Sequence, residues 1–180
     1  NEQTQQAPAV NVIERARNQI WVATDAGIGR YSSAGEPLGQ IVDDLRPPQA
    51  EGPIRVVDIE QGMPNRVWVA TRDHGLVEYN FADVERWNHW RVAGSPRLLS
   101  DQVNGLAYGE GRLWIATPEG IAIFDSDTND FQLPVQGQGF LVSDNVLDIE
   151  AGGGNVYAIT DRGMSVRQAG QWYDIWRRSD

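Results

Sequence analysis

Three observations predict an all-β fold, a β-propeller of four four-stranded antiparallel blades. One motif recurs four times at spacings of 47, 46 and 43 residues, and a period of about 45 residues is that of propeller blades. The segments inside each repeat are short, rich in Val, Ile, Trp and Tyr, and split by Gly, Asp, Asn and Pro. One strand per repeat is apolar throughout, so both of its faces must be covered, as happens when sheets stand side by side. The four blades either close on themselves or form part of a larger ring.

The repeats are QIWVATDAGIGRY (19–31), RVWVATRDHGLVEY (66–79), RLWIATPEGIAIF (112–124) and NVYAITDRGMSVR (155–167). Their anchors are Trp21, Trp68, Trp114 and Tyr157. Three residues on stand Thr24, Thr71, Thr117 and Thr160, then Gly27, Gly75, Gly120 and Gly163. The anchor segment reads as the second strand, and the glycine fits a tight reversal with positive φ into the third. Tyr31, Tyr79 and Phe124 close the first three copies; Arg167 closes the fourth. Ahead of the anchors, VNVIE (10–14), VVDIE (56–60), VNGLA (103–107) and VLDIE (146–150) supply the strand nearest the axis.

As one propeller domain over residues 1–180, the blades are expected from about Ala9 to Leu45, Ile54 to Val92, Gln102 to Gln136 and Asn145 to Trp176. RPPQAEGP (46–53), AGSPRLLSD (93–101) and GQGFLVSD (137–144) are turn-rich surface connections. QWYDIW (171–176) already supplies the outer strand of blade four, leaving no N-terminal strand to share with it as a clasp. The ring then closes by face packing alone, or more chain or another copy completes it, because open blade edges are a liability.

Residues 98–131, LLSDQVNGLAYGEGRLWIATPEGIAIFDSDTNDF, and 140–166, FLVSDNVLDIEAGGGNVYAITDRGMSV, resemble the two-component-regulator propeller repeat; 66–80 does so in part. Ala23, Ala70 and Ala116 replace the family's usual Gly, and Arg167 replaces an aromatic. The resemblance implies a periplasmic or otherwise extracytoplasmic module of a bacterial signalling protein. Such a module senses a small-molecule or glycan ligand, or binds a protein partner, and the family's rings have more blades than four.

Composition excludes several chemistries. With no cysteine there is no thiol nucleophile, disulfide or Cys-ligated metal. All 15 cationic residues are arginine, so Schiff-base chemistry and a P-loop lysine are absent. A net charge of −10 argues against a nucleic-acid partner. No apolar stretch is long enough to cross a membrane as a helix. The chain begins without an apolar signal segment or initiator Met, so Asn1 is expected to follow a cleavage or a trimmed end. No cofactor and no metal are implied, and HExxH, G-x-S-x-G and G-x-G-x-x-G do not occur.

Candidate functional residues fall into two sets. The reversals read DA, RDH, PE and DR before their glycines, whereas the strands repeat. A scaffold position must recur in every blade; a ligand-facing one need not. Asp25, Arg72, His74, Glu119 and Arg162 are therefore placed on a recognition face shared with the inter-blade connections, with Arg97 and Asp101 next. His74 and His89 are each read singly as solvated residues rather than as a base or ligand. Asp58 and Asp148 occupy matched inner-strand positions and line the channel, either holding a cation or water or accepting N–H groups from the adjacent blade; the second use is favoured. DSDTND (125–130) reads as a turn rather than a calcium loop, because Asp130 stands where the loop requires Gly. Trp87, Trp90, Trp172 and Trp176 are read mostly as outer-strand packing residues, the alternative being a rim Trp beside Arg91 or Arg177 that contacts a partner or glycan; Trp172 and Trp176 lie on one face by parity. The alternatives to a non-catalytic sensing module are a lyase or hydrolase with an acidic central pocket, and a scaffold within a larger assembly.

Overall fold

Each repeat folds as a four-stranded antiparallel meander, with strands in chain order across the sheet. Blade one comprises β1 (Val10–Ala16), β2 (Gln19–Thr24), β3 (Gly27–Ser32) and β4 (Pro37–Ile41). Blade two comprises β5 (Val56–Met63), β6 (Arg66–Thr71), β7 (Leu76–Asn80) and β8 (Arg86–Trp90). Blade three comprises β9 (Gly105–Gly109), β10 (Arg112–Thr117), β11 (Gly120–Asp125) and β12 (Asp130–Phe131). Blade four comprises β13 (Val146–Gly152), β14 (Asn155–Thr160), β15 (Gly163–Gln168) and β16 (Gln171–Arg177). These are the blades of a β-propeller. The computed structural model describes residues 8–47, 51–63, 65–82, 86–137 and 139–177; Asn1 and part of the first connection, residues 48–50, lie outside them.

The recurrent threonine clamps each reversal. Its hydroxyl donates to the reversal glycine's carbonyl (Thr24–Gly27 2.9 Å, Thr71–Gly75 2.6 Å, Thr117–Gly120 2.8 Å, Thr160–Gly163 3.0 Å). The same oxygen accepts a backbone N–H from within the turn, from Ala26, His74, Glu119 or Arg162. A glycine is required for two reasons: φ is +80° at Gly75 and +128° at Gly120, and a Cβ there would lie 2.2 Å and 2.6 Å from the carbonyls of Trp90 and Val135.

Alternation along the second strand divides its side chains between neighbours. Trp21 and Ala23 pack in the core between blades one and two, which also takes Val67, Val69 and Tyr79 of blade two. Trp68 and Ala70 enter the next core with Leu113, Ile115 and Phe124. Trp114 and Ala116 enter the third with Val156 and Ala158. Burying one indole removes on the order of 200 Å² of mostly apolar surface, about 5 kcal/mol before entropy is counted. Among the described residues three cores join four blades, and no core joins blade four to blade one.

Two outer strands depart from the sequence expectation. Pro134, which has no N–H to donate, interrupts the outer strand of blade three; β12 ends at Phe131 and Val135 rejoins by an isolated bridge to Ile121. In β16 the register shifts between Met164 and Ser165, so Trp172 pairs with Arg167 and Trp176 with Met164. This bulge puts Trp172 against Trp114 (6.2 Å), while Trp176 stays exposed on the other face, against the shared face that parity implied.

Candidate functional site

The inner strands β1, β5, β9 and β13 line an open funnel of about 500 Å³. Every charged side chain lining it is a carboxylate: Glu14, Asp58, Glu60, Asp148 and Glu150. The glutamates hold the fifth position of VNVIE, VVDIE and VLDIE, which blade three fills with Ala107. That recurrence was visible in the sequence, yet only the aspartates two residues earlier were singled out there.

Asp58 spans two blades. Its Oδ1 accepts the Ile59 N–H (2.8 Å) and its Oδ2 accepts the Leu106 N–H of blade three (2.8 Å). Asp148 Oδ1 likewise accepts the Ile149 N–H (2.9 Å). In the alternate blades the preceding position carries an asparagine: Asn11 Nδ2 donates to the Val56 carbonyl and Asn104 Nδ2 to the Val146 carbonyl, both at 2.7 Å. Gly105 makes room for blade four, since a Cβ there would lie 2.7 Å from Asp148 Oδ1.

Burial pushes Asp58 up to about 6; the Leu106 and Ile59 N–H groups oppose this, and the charges of Asp148 and Glu14 add to it. Burial likewise pushes Glu60 up to about 7, with the charges of Glu14, Asp58 and Glu150 adding and the Tyr108 N–H opposing. Glu14 is raised by burial, with the Arg15 N–H opposing. Glu60 is thus partly protonated near neutral pH. Among the described residues no three His, Asp or Glu side chains converge as a metal-binding group.

The reversals gather at one end of the blades, beside the starts of the inner strands. Asp25 N–H donates to the Ala9 carbonyl, Arg72 N–H to Arg55 and Asp161 N–H to Asn145, each just ahead of an inner strand. Asp25, Arg72, Glu119 and Arg162 are exposed there. Arg162 borders a hollow of about 290 Å³ with Ser143, Asp144 and Asn145. Three other candidates have different settings. His74 is buried, not solvated, because the longer RDH reversal folds back under its Thr71 clamp and the Gly75 N–H is held by the Asp101 carbonyl (2.8 Å). Asp101 takes Arg91 in a two-point ion pair (2.8 and 3.1 Å) and also accepts the Val92 N–H. Arg97 Nη1 donates to the Phe131 carbonyl (2.6 Å), fastening its connection to blade three.

His89 is half-buried, with Nε2 within 3.0 Å of the Asp44 carbonyl; burial lowers its pKa, and the Asp44 and Leu45 backbone opposes this. In DSDTND, Asp125 Oδ1 receives the Asp127 and Thr128 N–H groups, both at 3.0 Å. These bonds close a turn around it.

Solved structures place the fold among known propellers. The extracellular domain of the hybrid two component system BT3049 from B. thetaiotaomicron superimposes with a TM-score of 0.74 at 17% identity, over 95% of this chain and 25% of that one. That of BT4673 from the same organism gives 0.71 at 14% identity, over 96% and 22%. The WD40 repeats of RRP9 give 0.63 at 14% identity, over 95% and 56%. The chain therefore spans about a quarter of the length of the two extracellular domains it resembles. At these identities the likeness shows the fold alone. No family model matches the chain, and no curated protein does.

Proposed function

We propose that this chain is a non-catalytic recognition module, the ligand- or protein-binding propeller segment of an extracytoplasmic bacterial signalling protein of the two-component-regulator type. The observation that carries this reading is the contrast between strands that repeat and reversals that do not. Asp25 and Glu119 present carboxylates, and Arg72 and Arg162 guanidinium groups, at one end of a rigid scaffold, where recognition residues collect. The extracellular position of the two B. thetaiotaomicron domains supports the location. A small-molecule or glycan ligand, or a protein partner, docks on that end. The experiment is a thermal-shift and calorimetric screen of neutral and acidic oligosaccharides. A saturable ligand whose affinity falls at least tenfold in Arg72→Ala/Arg162→Ala, and is unchanged in Glu60→Gln, supports the reading; the reverse pattern counts against it.

The funnel favours a second reading, a lyase or hydrolase. A glutamic acid titrating at about 7 beside other carboxylates is a candidate general acid. Turnover of chromogenic glycosides or lactones that is lost in Glu60→Gln would select it over the first.

A further inference from the structure

The two ends of the blade arc expose the same positions that the internal interfaces bury. In each blade the anchor, the residue two beyond it and the residue after the reversal glycine face the following blade. The first and fourth residues of the inner motif and the closing residue of the third strand face the preceding one. Ile159, at the position of the buried Ala23, Ala70 and Ala116, is 47% exposed on blade four. Trp176 there, matching the buried Ile41, is 60% exposed. On blade one Ile13, matching the buried Ile59, Leu106 and Ile149, is 61% exposed.

We propose that these end faces join head to tail with those of a second copy, so that two chains close one eight-bladed ring. The internal interfaces dictate the contacts. Each anchor packs on the closing residue of the next blade: Trp21 on Tyr79 (5.8 Å), Trp68 on Phe124 (4.8 Å), and Trp114 under the Arg167 guanidinium (5.1 Å). The next pair in this series is Tyr157 of one copy with Tyr31 of the other. Phe124 also touches Trp90 (5.7 Å), and by the same register Trp176 of one copy meets Tyr31 of the other.

The inner strands extend the pattern. Asn11, Asp58 and Asn104 each bond to the backbone of the following blade. Asp148 occupies the position of Asp58 in the final blade, and the N–H matching that of Leu106 belongs to Ile13 of the second copy. The Asn–Asp alternation then runs unbroken around eight inner strands. Shape agrees as well. The free face of blade one holds a hollow of about 280 Å³ bordered by Val10, Val22, Gly29 and Tyr31. Gly29 stands there in place of Val77 and Ala122 of blades two and three, and blade four offers the larger Ile159 in place of alanine.

A head-to-tail interface closes only if a whole number of copies completes the turn. Propellers typically have four to eight blades, and the exposed end faces are incompatible with closure at four. A ring built from copies of these four blades therefore takes two of them.

Sedimentation equilibrium of the chain at micromolar concentration should give twice the 20.0 kDa chain mass. A monomer, whose end faces would then await further blades of a longer chain, overturns the proposal, as does a series of oligomers that does not stop at two. The chain has no cysteine, so Tyr31→Cys and Tyr157→Cys can be cross-linked cleanly. A short bismaleimide should join the two variants when mixed and neither alone; the opposite result overturns the head-to-tail arrangement. Ile159→Glu and Ile13→Glu lie on opposite end faces, and each should sediment as a monomer with an unchanged circular dichroism spectrum. If either folded variant remains a dimer, the proposed interface is wrong.

Discussion

Asp58 Oδ2 accepts the Leu106 backbone N–H at 2.8 Å across the boundary between blades two and three. A side chain here substitutes for the strand–strand ladder that separate sheets cannot form, and it does so between the inner strands of adjacent blades. Leaving the Leu106 N–H unpaired would cost about 1–3 kcal/mol. The same geometry buries the carboxyl among other carboxylates, so the residue that holds the blades in register also titrates near neutral pH.

Stability should therefore fall as the solution becomes alkaline. Asp58 and Glu60 are raised to about 6 and about 7 in the folded chain, above their unfolded values of about 4. The folded state then binds more protons than the unfolded state between those limits. The resulting stabilisation is fully present below pH of about 4 and is lost as pH rises through 6–7. Discounted for solvent access to the funnel, the loss is roughly 1–2 kcal/mol. Thermal midpoints measured from pH 5 to 8.5 should decline, and Glu60→Gln should flatten the decline. A flat wild-type profile would show that the funnel does not perturb these groups.

The anchors should differ in what their indole N–H contributes. Trp68 and Trp114 are both fully buried, so either substitution by Ala should destabilise by about 3–5 kcal/mol. Trp114 Nε1 donates to the Gly109 carbonyl (3.1 Å), whereas Trp68 Nε1 has no partner among the described residues. Trp114→Phe should thus exceed Trp68→Phe by about 1 kcal/mol in urea melts. Equal values would mean that the Gly109 bond adds nothing net.

The blades, their strand order and their buried anchors were legible because each must solve the same packing problem, so the solution is written four times. Single events were not. The bulge that separates Trp172 from Trp176 follows from a register shift that parity cannot see. His74 is buried because its reversal is one residue longer than the others, a tertiary consequence of a local insertion. The matched Glu14, Glu60 and Glu150 were visible in the repeat, but that they line one funnel depends on how the four inner strands are brought together. The end faces show the converse case: their positions were readable, and only the three built interfaces revealed which way each residue points.

Gly75→Ala should be far more damaging than Gly35→Ala, although both glycines have positive φ (+80° and +89°). At Gly35 nothing lies within 4 Å of an added Cβ, so the substitution carries backbone strain alone, about 1 kcal/mol. At Gly75 the Cβ would meet the Trp90 carbonyl at 2.2 Å, which forces β7 and β8 apart for a total of about 3 kcal/mol or more. Chemical denaturation of both variants separates the two contributions. Similar losses would mean that β8 yields without resistance.

The reversal end, the proposed recognition surface, should be separable from the scaffold beneath it. Arg72, Glu119 and Arg162 are exposed and sit after clamped threonines whose bonds use only backbone atoms of the reversals. Replacing the three side chains by Ala leaves every clamp intact, so the folding free energy should change by no more than about 0.5 kcal/mol at each site. His74 is left out of this set because its burial makes it part of the fold. The triple variant removes two positive charges and one negative charge from one end of the blades, and its affinity for a ligand found in the oligosaccharide screen should drop at least tenfold. Calorimetry on the triple variant, with an Arg15→Ala control in inner strand β1, reads the difference. Undiminished binding by the triple variant, or a loss confined to the control, would move recognition off the reversal end.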